Sequence, residues 1–402
     1  MKIVISAYDC SPDHGSEAGL GWNWVMAASK YADFDKVHVI TTDRYEKNIK
    51  GYMAEHSDEM KRIQFHFLPL PLSGLQKLNQ RFKYIIWQWK VGNLVKELCK
   101  KEDISFLHHV TWATCVLPTF LYRVRVPFVY GPIGGGERIP RCVNIKMSKR
   151  DAFVEWIRNT VADISVHIPA NKKAYKKAAI ILSTTEETKR LIPSKFQNKV
   201  RIMQAIGVNA LPEVRHAVKS TNDEFIVLLA ARMLYWKGVD IAIEAFKKLE
   251  KQDKSIKLKI AGIGRNVEHY KSMASGLSNV QFLGEVPHSQ MERIYQNADI
   301  LLNCSLHDSG CMVVLEAMSF GLPIVAIRTG GPAVLADEKC ALLVEPKAVD
   351  QMVSEICEKI IILKEDDGKR NLMSEYSRKR AQSEFLYDKK YGQILAELRN
   401  AN

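Results

Sequence analysis

The chain lacks several features that would place it in a specialised class. No apolar run in its 402 residues approaches the roughly 20 needed to span a bilayer as a helix. Its eight cysteines, at 10, 99, 115, 142, 304, 311, 340 and 357, contain no Cys-x-x-Cys pair. Metal-site spacing is therefore missing, and scattered reduced thiols in a cytosolic protein are the simpler reading. The opening MKIVISAYDC has one lysine and a short strand-like run, which reads as a first β-strand and not as a secretory signal. Internal repeats and low-complexity tracts are absent. Acidic residues are in short supply: 45 Asp and Glu stand against 58 Lys and Arg, a net charge of +13. Such a balance favours polyanionic partners, whether nucleic acid, an anionic membrane or phosphorylated small molecules, without choosing among them.

What remains is the composition of an ordinary globular protein, 47% hydrophobic and 26% charged, too long for one core and suited to two domains of roughly 150–200 residues. Strand-like runs alternate with helical ones, the pattern of doubly wound α/β domains. A first series of strands is expected at Lys2–Ser6, Val37–Thr41, Gln64–Leu68, Ile104–Leu107, Phe128–Tyr130 and Ala179–Ser183, with helices at Gly21–Tyr31 and from Leu75 to Cys99. A second series runs through Phe225–Ala230, Lys257–Ala261, Val280–Phe282, Ile300–Asn303, Ile324–Ala326 and Ala341–Val344. The segment Ile206–Pro212 has a linker's composition. The expected division is residues 1–206, residues 207–380, and a helical tail, 381–402, crossing back to the first domain. Two such domains facing across a cleft would place the loops after the strands at the ligand site.

The second series carries the sharper signal. After Ile300–Asn303 comes CSLHDSGCMVVLEAMSFGLPIVAIRTGG, with Asp308 and Glu316 eight residues apart. A helix beginning beside Gly310 presents free backbone N–H groups, and with its dipole makes an anion site fit for a diphosphate. Glu316, on an otherwise apolar helix, needs a polar partner and is placed to meet ribose hydroxyls. Asp308 would reach the sugar. Upstream, Arg232 and Lys237 follow the strand Phe225–Ala230 closely enough to face one phosphate group, Arg as a planar fork and Lys as a point charge. The bland alternatives are a buried helix with one solubilising acid and a pair of solvated cations.

Arg232, Lys237-Gly238, Gly262-Ile263-Gly264, Gly284-Glu285-Val286 and the Asp308-to-Glu316 segment followed by Gly330-Gly331, taken as an ordered set, resemble the large family-four group of retaining GT-B glycosyltransferases. The resemblance covers most of the second domain. It implies that Arg232 and Lys237 hold a donor pyrophosphate and that Glu316 holds the nucleotide ribose. It also implies that the loop at Glu285 and Val286 meets the base, and that Asp308, Ser309, Gly310, Cys311 and Met312 meet sugar and phosphates. The family usually has Glu at both ends of its Glu-x7-Glu motif. Asp308, one methylene shorter, departs from it and bears on which sugar is carried.

The first domain is more individual. The loop YDCSPDHGSEAGLGWNWV has Gly15, Gly19 and Gly21, which would let a ligand approach, and a helix from about Trp22. It resembles the family's glycine-rich loop, which assigns Gly15 to the donor and Ser16, Glu17 and Gly19 to the acceptor. A dinucleotide fingerprint ending at Asp43 is the rival, but the Gly-x-Gly-x-x-Gly spacing is absent. His108 and His109, read as following the strand Ile104–Leu107, are candidates for ordering the acceptor and for catalysis respectively. Gly131-Pro132-Ile133-Gly134-Gly135-Gly136-Glu137 suggests a mobile or closely approached cleft wall. Asp33-Phe34-Asp35 reads as a turn and not as a metal site. No metal or other cofactor is expected, because cations and a helix N-terminus would stabilise the leaving diphosphate.

Two basic stretches are left over. One, from Leu75 to Lys101, mixes lysines and arginine with Phe82, Tyr84, Trp87 and Trp89; the other runs from Arg138 to Lys177. Basic residues among aromatics suit an anionic membrane surface, or else cations facing water over a packed core. The sequence thus points to a sugar transferase working from a nucleotide sugar on a glycan or lipid-linked acceptor, cytoplasmic and peripheral at the inner face of a membrane. The alternatives are a nucleotide-sugar epimerase of the same fold, or a non-catalytic protein binding anionic membrane or nucleic acid. No recognised nucleic-acid module supports the last.

Overall fold

The computed structural model describes residues 1–70, 79–213 and 224–401. The chain forms two compact units, Met1–Gly136 with Glu155–Asn209 and Tyr387–Asn402, and Glu137–Val154 with Ala210–Leu386. Each is built on one parallel sheet.

In the first unit the strands are β1 (Lys2–Ala7), β2 (Lys36–Thr42), β3 (Ile63–Leu68), β4 (Phe106–Thr111), β5 (Phe128–Ile133), β6 (Ile180–Ser183) and β7 (Val200–Ile202), in the order β3-β2-β1-β4-β5-β6-β7. In the second they are β8 (Phe225–Ala230), β9 (Ile256–Ala261), β10 (Val280–Gly284), β11 (Ile300–Asn303), β12 (Ile324–Ile327) and β13 (Ala341–Val344), in the order β10-β9-β8-β11-β12-β13. All pairings are parallel; in β1, for example, Ile3 pairs Val37 on one side and Phe106 on the other. Parallel sheets need crossover helices on both faces, so their central strands read as unbroken apolar runs. KIVISA in β1 and FIVLLA in β8 are of this kind.

The strand order reverses between β1 and β4 in one unit and between β8 and β11 in the other. At such a point neighbouring crossovers leave to opposite faces, and a crevice opens beyond the strands' carboxyl ends. Sheets of seven and six strands flanked by helices are thus two Rossmann-like domains, the α/β architecture expected from the sequence.

One segment lies in a different unit from the one read in the sequence, and the tail that returns to the first unit starts at Tyr387 where residue 381 was read. Residues 137–154, placed there in the first domain, pack with the second unit. Val143 lies in that unit's core with Ile139 and Ile145 against it, and Cys142 Sγ donates to Pro346 O at 3.2 Å. The helix Tyr387–Ala401 belongs to the first unit, where Tyr387, Tyr391, Ile394 and Leu398 join the core around Trp24. The helix expected from Leu75 to Cys99 is described as Gln80–Lys101, capped by the Asn79 side chain; residues 75–78, with Lys77, lie outside the described residues. Asp33-Phe34-Asp35 is a turn, and it holds the N-terminal amine through Asp33 O and the Asp35 carboxylate.

Candidate nucleotide-sugar site

The second unit's candidate residues gather at the β8/β11 switch point. After β8 the chain makes a short turn, Tyr235–Lys237, and enters the helix Val239–Gln252 through Gly238. Gly238 has φ 64°, and a Cβ there would lie 2.2 Å from Cys304 O, so only glycine lets this loop lie against the one after β11. Two other motif glycines work the same way. A Cβ on Gly262 would sit 2.0 Å from Ala231 O, and one on Gly331 would sit 2.6 Å from Gly310 O. Gly331 N donates to Asp308 O at 2.6 Å. The glycines of neighbouring strand ends thus hold the two site loops from behind.

On this backing the charged groups stand as follows. Lys237 Nζ is ion-paired with the Asp308 carboxylate, which also accepts from Ser305 Oγ at 3.2 Å. Arg232 is exposed, and its guanidinium has no hydrogen-bond or ion-pair partner among the described residues. The helix Met312–Ser319 begins at Cys311, whose φ is 62°; Val314 N donates to Cys311 O at 3.0 Å, and no side chain caps the helix start. Burial pushes the Cys311 thiol up to about 12, with the Asp308 charge adding to the rise, so it stays a neutral thiol. Glu316, in the second turn, accepts a hydrogen bond on Oε2 from the Tyr295 hydroxyl at 2.7 Å. Tyr295 is 2% exposed and stacks on Phe320 with ring centres 5.3 Å apart. Glu316 Oε1 has no protein partner among the described residues. The polar partner that the sequence demanded therefore fixes the carboxylate and leaves one oxygen available. Glu285 is exposed and Val286 half-buried, in the loop after the edge strand β10.

In the first unit the structure separates the candidates. Strand β4 runs on to Thr111, four residues beyond its expected end. His108 and His109 consequently lie within the sheet, pointing to opposite faces, and both are fully buried. The ring nitrogens of His108 lie 3.0 Å from the Tyr391 hydroxyl and 2.8 Å from Gly131 O. Those of His109 lie 3.2 Å from the Tyr84 hydroxyl and 3.4 Å from Gln88 Nε2. Burial lowers the pKa of His108 to about 4, against the Gly131 hydrogen bond. It lowers His109 to about 3, helped by His108. Both rings are thus enclosed within the first unit, and not set on a loop beyond the strand, where the acceptor role for His108 and the catalytic role for His109 had placed them.

The glycine-rich loop is corrected in part. The helix begins at Ser16, not near Trp22, and Gly19 and Gly21 lie inside it. A Cβ on Gly19 would meet His14 O at 2.4 Å and one on Gly21 would meet Asp9 O at 2.2 Å. These two glycines admit the protein's own loop, so Gly19 makes room for His14 and not for an acceptor. Gly15, with nothing within 4 Å of its Cβ position, Ser16 and Glu17 do lie exposed at the helix start. Beside them Asp9 accepts from Trp112 Nε1 at 2.6 Å and from Arg44 at 3.1 Å. Glu17 accepts from the Trp112 backbone N–H at 3.3 Å. Solvent reaches Glu17, yet the surrounding protein desolvates its carboxyl and raises its pKa. The Trp112 N–H opposes the shift and Asp9 adds to it. The Gly131–Gly136 wall is likewise approached by protein: a Cβ on Gly135 would meet Thr114 Oγ1 at 2.8 Å, and one on Gly136 would meet Thr188 Cα at 2.5 Å.

Sequence reasoning missed Tyr295, Ser305 and Trp112. Nothing in the sequence could pair Tyr295 with a carboxylate 21 residues on. Among the described residues only Ser16, Trp112 and Cys311 are non-glycine residues with positive φ. Ser16 opens the helix that follows β1, Trp112 directly follows β4, and Cys311 precedes the helix that follows β11, all at the two switch points. Left-handed backbone costs an L-residue about 1–2 kcal/mol, and such strain clusters where a ligand loop has to be held in shape.

Two cations, an uncapped helix start and an oriented carboxylate thus stand together at the switch point of a Rossmann-like unit. Residues 212–380 match the family described as glycosyl transferases group 1. The chain is 30% identical over 189 residues to a phosphatidylinositol N-acetylglucosaminyltransferase component from Arabidopsis thaliana, a match that covers 46% of this chain and 42% of that one. It is 26% identical over 270 residues to an uncharacterized glycosyltransferase of Methanocaldococcus jannaschii, covering 63% and 64%. The matches to curated relatives span from 28% to 64% of those proteins' own length. Among solved structures, Anabaena Alr3699/HepE in complex with UDP is similar in fold, with a TM-score of 0.62 at 16% identity over 98% of this chain and all of that one.

Proposed function

We propose that the protein is a glycosyltransferase that moves a sugar from a nucleoside diphosphate sugar to an acceptor hydroxyl, with retention at the anomeric carbon. The observation that carries this reading is the Glu316 carboxylate, fixed by Tyr295 on one oxygen and unpartnered on the other, beside the uncapped helix start at Cys311. A carboxylate so held accepts from both hydroxyls of a ribose, while the amides after Gly310 take the diphosphate. UDP is the favoured nucleotide over GDP because the Anabaena neighbour was solved with it. Glu285 and Val286 would border the base.

In the reaction the acceptor hydroxyl attacks the face from which the diphosphate departs. Arg232, Lys237 and the helix amides stabilise the charge that develops on the leaving group, and a leaving phosphate oxygen takes the acceptor proton. Lys237 first has to be shared away from Asp308. A pair of unit charges about 4 Å apart near a protein surface is worth roughly 4 kcal/mol before desolvation. A diphosphate carrying more than one charge, set against Arg232 as well, competes with that. Freed from Lys237, Asp308 turns to the donor sugar with Ser309, Gly310, Cys311 and Met312 around it. No metal or other cofactor enters the proposal.

The acceptor is proposed to be a lipid-linked or surface-polysaccharide precursor, with the enzyme peripheral at the inner face of a membrane. The Arabidopsis relative, whose name includes phosphatidylinositol, supports a lipid-borne acceptor. Among the described residues no helix is long and apolar enough to cross a membrane.

Calorimetric binding of UDP and GDP, with and without chelator, to the wild type and to Glu316→Ala tests the site. Micromolar binding of UDP, indifferent to chelator and lost in the variant, is expected. A folded protein that binds neither nucleotide would sink the proposal. Incubation with donor alone, followed by product analysis, separates transfer from epimerisation.

A further inference from the structure

Trp112 directly follows β4 at the first unit's switch point, and the fold fixes both its backbone and its ring. The indole N–H donates to Asp9 Oδ2 at 2.6 Å, and the backbone N–H donates to Glu17 at 3.3 Å. The ring is stacked on Tyr84 with centres 5.6 Å apart and meets Tyr8 in a T-shaped contact at 4.9 Å. Both tyrosines are fully buried, whereas Trp112 is half-buried and keeps part of its surface open. A flat apolar surface held this way, with polar groups at its rim, is how binding sites take ligands that are apolar on one face and polar at the edge.

The rim is suited to hydroxyls. Asp9 takes Trp112 on one oxygen and Arg44 on the other, the latter at 3.1 Å. A carboxylate oxygen accepts two hydrogen bonds, so acceptor capacity is left on both. Glu17 and Arg44 are exposed beside it. The buried Tyr8 hydroxyl, near enough to Arg44 and Asp9 for both charges to act on it, has no hydrogen-bond partner. Buried polar groups nearly always have one, so this place is short of a group that the protein does not supply. Charge then selects the ligand. In residues 8–17, 43–45 and 112–117 the acids are Asp9, Asp13, Glu17 and Asp43, against Arg44 as the one lysine or arginine. Arg44 is already paired with Asp9, so a phosphate or a phospholipid headgroup finds no free cation and several like charges. A metal ion finds no set of three His, Cys, Asp or Glu ligands among the described residues. A sugar ring fits: its C–H groups lie on the electron-rich indole face, and its hydroxyls both donate and accept at the rim.

We propose that the first unit's switch point binds an uncharged pyranose of the acceptor, with the sugar ring on Trp112 and its hydroxyls at Asp9, Arg44 and Glu17. The acceptor then already carries a sugar, and an earlier glycosyl transfer has to supply it. Calling this sugar an acceptor rests on the proposed transfer reaction; the sugar site itself stands without it.

The test uses the full chain, with and without UDP, and saturation-transfer-difference NMR. The probes are the methyl glycosides of glucose, galactose, mannose and N-acetylglucosamine, with glucose 6-phosphate and inorganic phosphate as the charged rivals. At least one methyl glycoside is expected to receive saturation at its ring C–H groups, and the phosphates are expected not to compete with it. Trp112→Leu fills the space without a π face and should weaken that binding at least about tenfold. Glu17→Gln, an exposed change, should weaken it about fivefold. UDP binding on the same samples is expected to be unchanged in both variants; its absence in the wild type would sink the donor-site reading and leave the glycoside result standing by itself. The proposal is overturned if no glycoside binds, or if glucose 6-phosphate binds where methyl glucoside does not. It is also overturned if glycoside binding is unchanged in Trp112→Leu, which would put the sugar in the second unit. Should Trp112→Leu not fold by its melting profile, Glu17→Gln decides in the same way.

Discussion

The two switch points of this molecule are built from the same parts and hold their polar residues in opposite ways. At β8/β11 the loops are supported from behind by glycines, and the charged side chains stand on them with partners that leave atoms over. Lys237 shares Asp308 with Ser305, Glu316 keeps one oxygen free, and Arg232 stands exposed. At β1/β4 the two histidines fall inside the strand, and every ring nitrogen is within reach of a protein group. What remains open there is a helix start with Ser16 and Glu17, beside an Asp9–Trp112–Arg44 cluster. Residue type at a strand end thus decides little by itself. A polar group serves a ligand when its own fold satisfies only part of its hydrogen-bonding capacity, and serves the core when all of it is satisfied.

The contrast predicts where substitution costs function and where it costs stability. Lys237→Ala should lower kcat/KM for transfer about a hundredfold, as loss of a group stabilising the leaving charge does, with little change in melting temperature. A rate within a few fold of wild type would remove Lys237 from the chemistry and break the contrast at its strongest point.

Tyr295→Phe deletes only the hydroxyl that holds Glu316 Oε2 and keeps the ring on Phe320. A hydrogen bond to a charged group is worth about 1.5–3 kcal/mol, so UDP should bind about tenfold or more weakly. The penalty should shrink for a 2′-deoxy nucleotide, which has no hydroxyl for the carboxylate to receive. An equal penalty for both nucleotides would make Tyr295 a packing residue and move it to the first unit's side of the comparison.

The first-unit histidines should report on stability alone. His109 has a folded pKa near 3 against 6.5 for the free side chain. It contributes stability that is fully present above pH 6.5 and is lost as pH falls toward 3, because the unfolded chain takes up the proton first. His109→Gln should flatten the fall in melting temperature between pH 6.5 and 4. The pH–rate profile between 6 and 8 should keep its shape, since the ring is neutral throughout that range. A changed profile would return His109 to the catalytic machinery. The smallest effect is expected at Ser16, exposed and at φ 55°. Ser16→Gly relieves left-handed strain and gives back part of it as unfolded-state entropy, a net gain of about 0.5 kcal/mol in a chemical melt. Reduced transfer alongside that gain would assign the hydroxyl to the acceptor.

Much of the second unit was legible because its signals are local. Strands Phe225–Ala230, Ile300–Asn303 and Ala341–Val344 have the ends read from the sequence, since each apolar run stops at a polar residue, a glycine or a proline. The helix after Gly310 follows from composition and from the closing Gly321-Leu322-Pro323. The first unit was less legible where apolar and polar residues mix. The strand FLHHVT does not break at its histidines, because the tyrosines and the glutamine that satisfy them come from elsewhere in the chain. The glycines at 19 and 21 were visible, but not that the atoms they admit belong to His14 and Asp9.

The sequence alone determined the class of fold, the alternation of strand and helix, and the identities of the second unit's charged residues. Each of these depends on spacing along the chain and on the side chain's own chemistry. Tertiary structure decided which polar groups are spent internally. It also decided that Glu316 is held by Tyr295, that residues 137–154 pack with the second unit, and that Asp151 and Glu155 are buried. Those outcomes turn on partners far apart in the chain, and a hydrogen bond or a buried face exists only once both sides are in place.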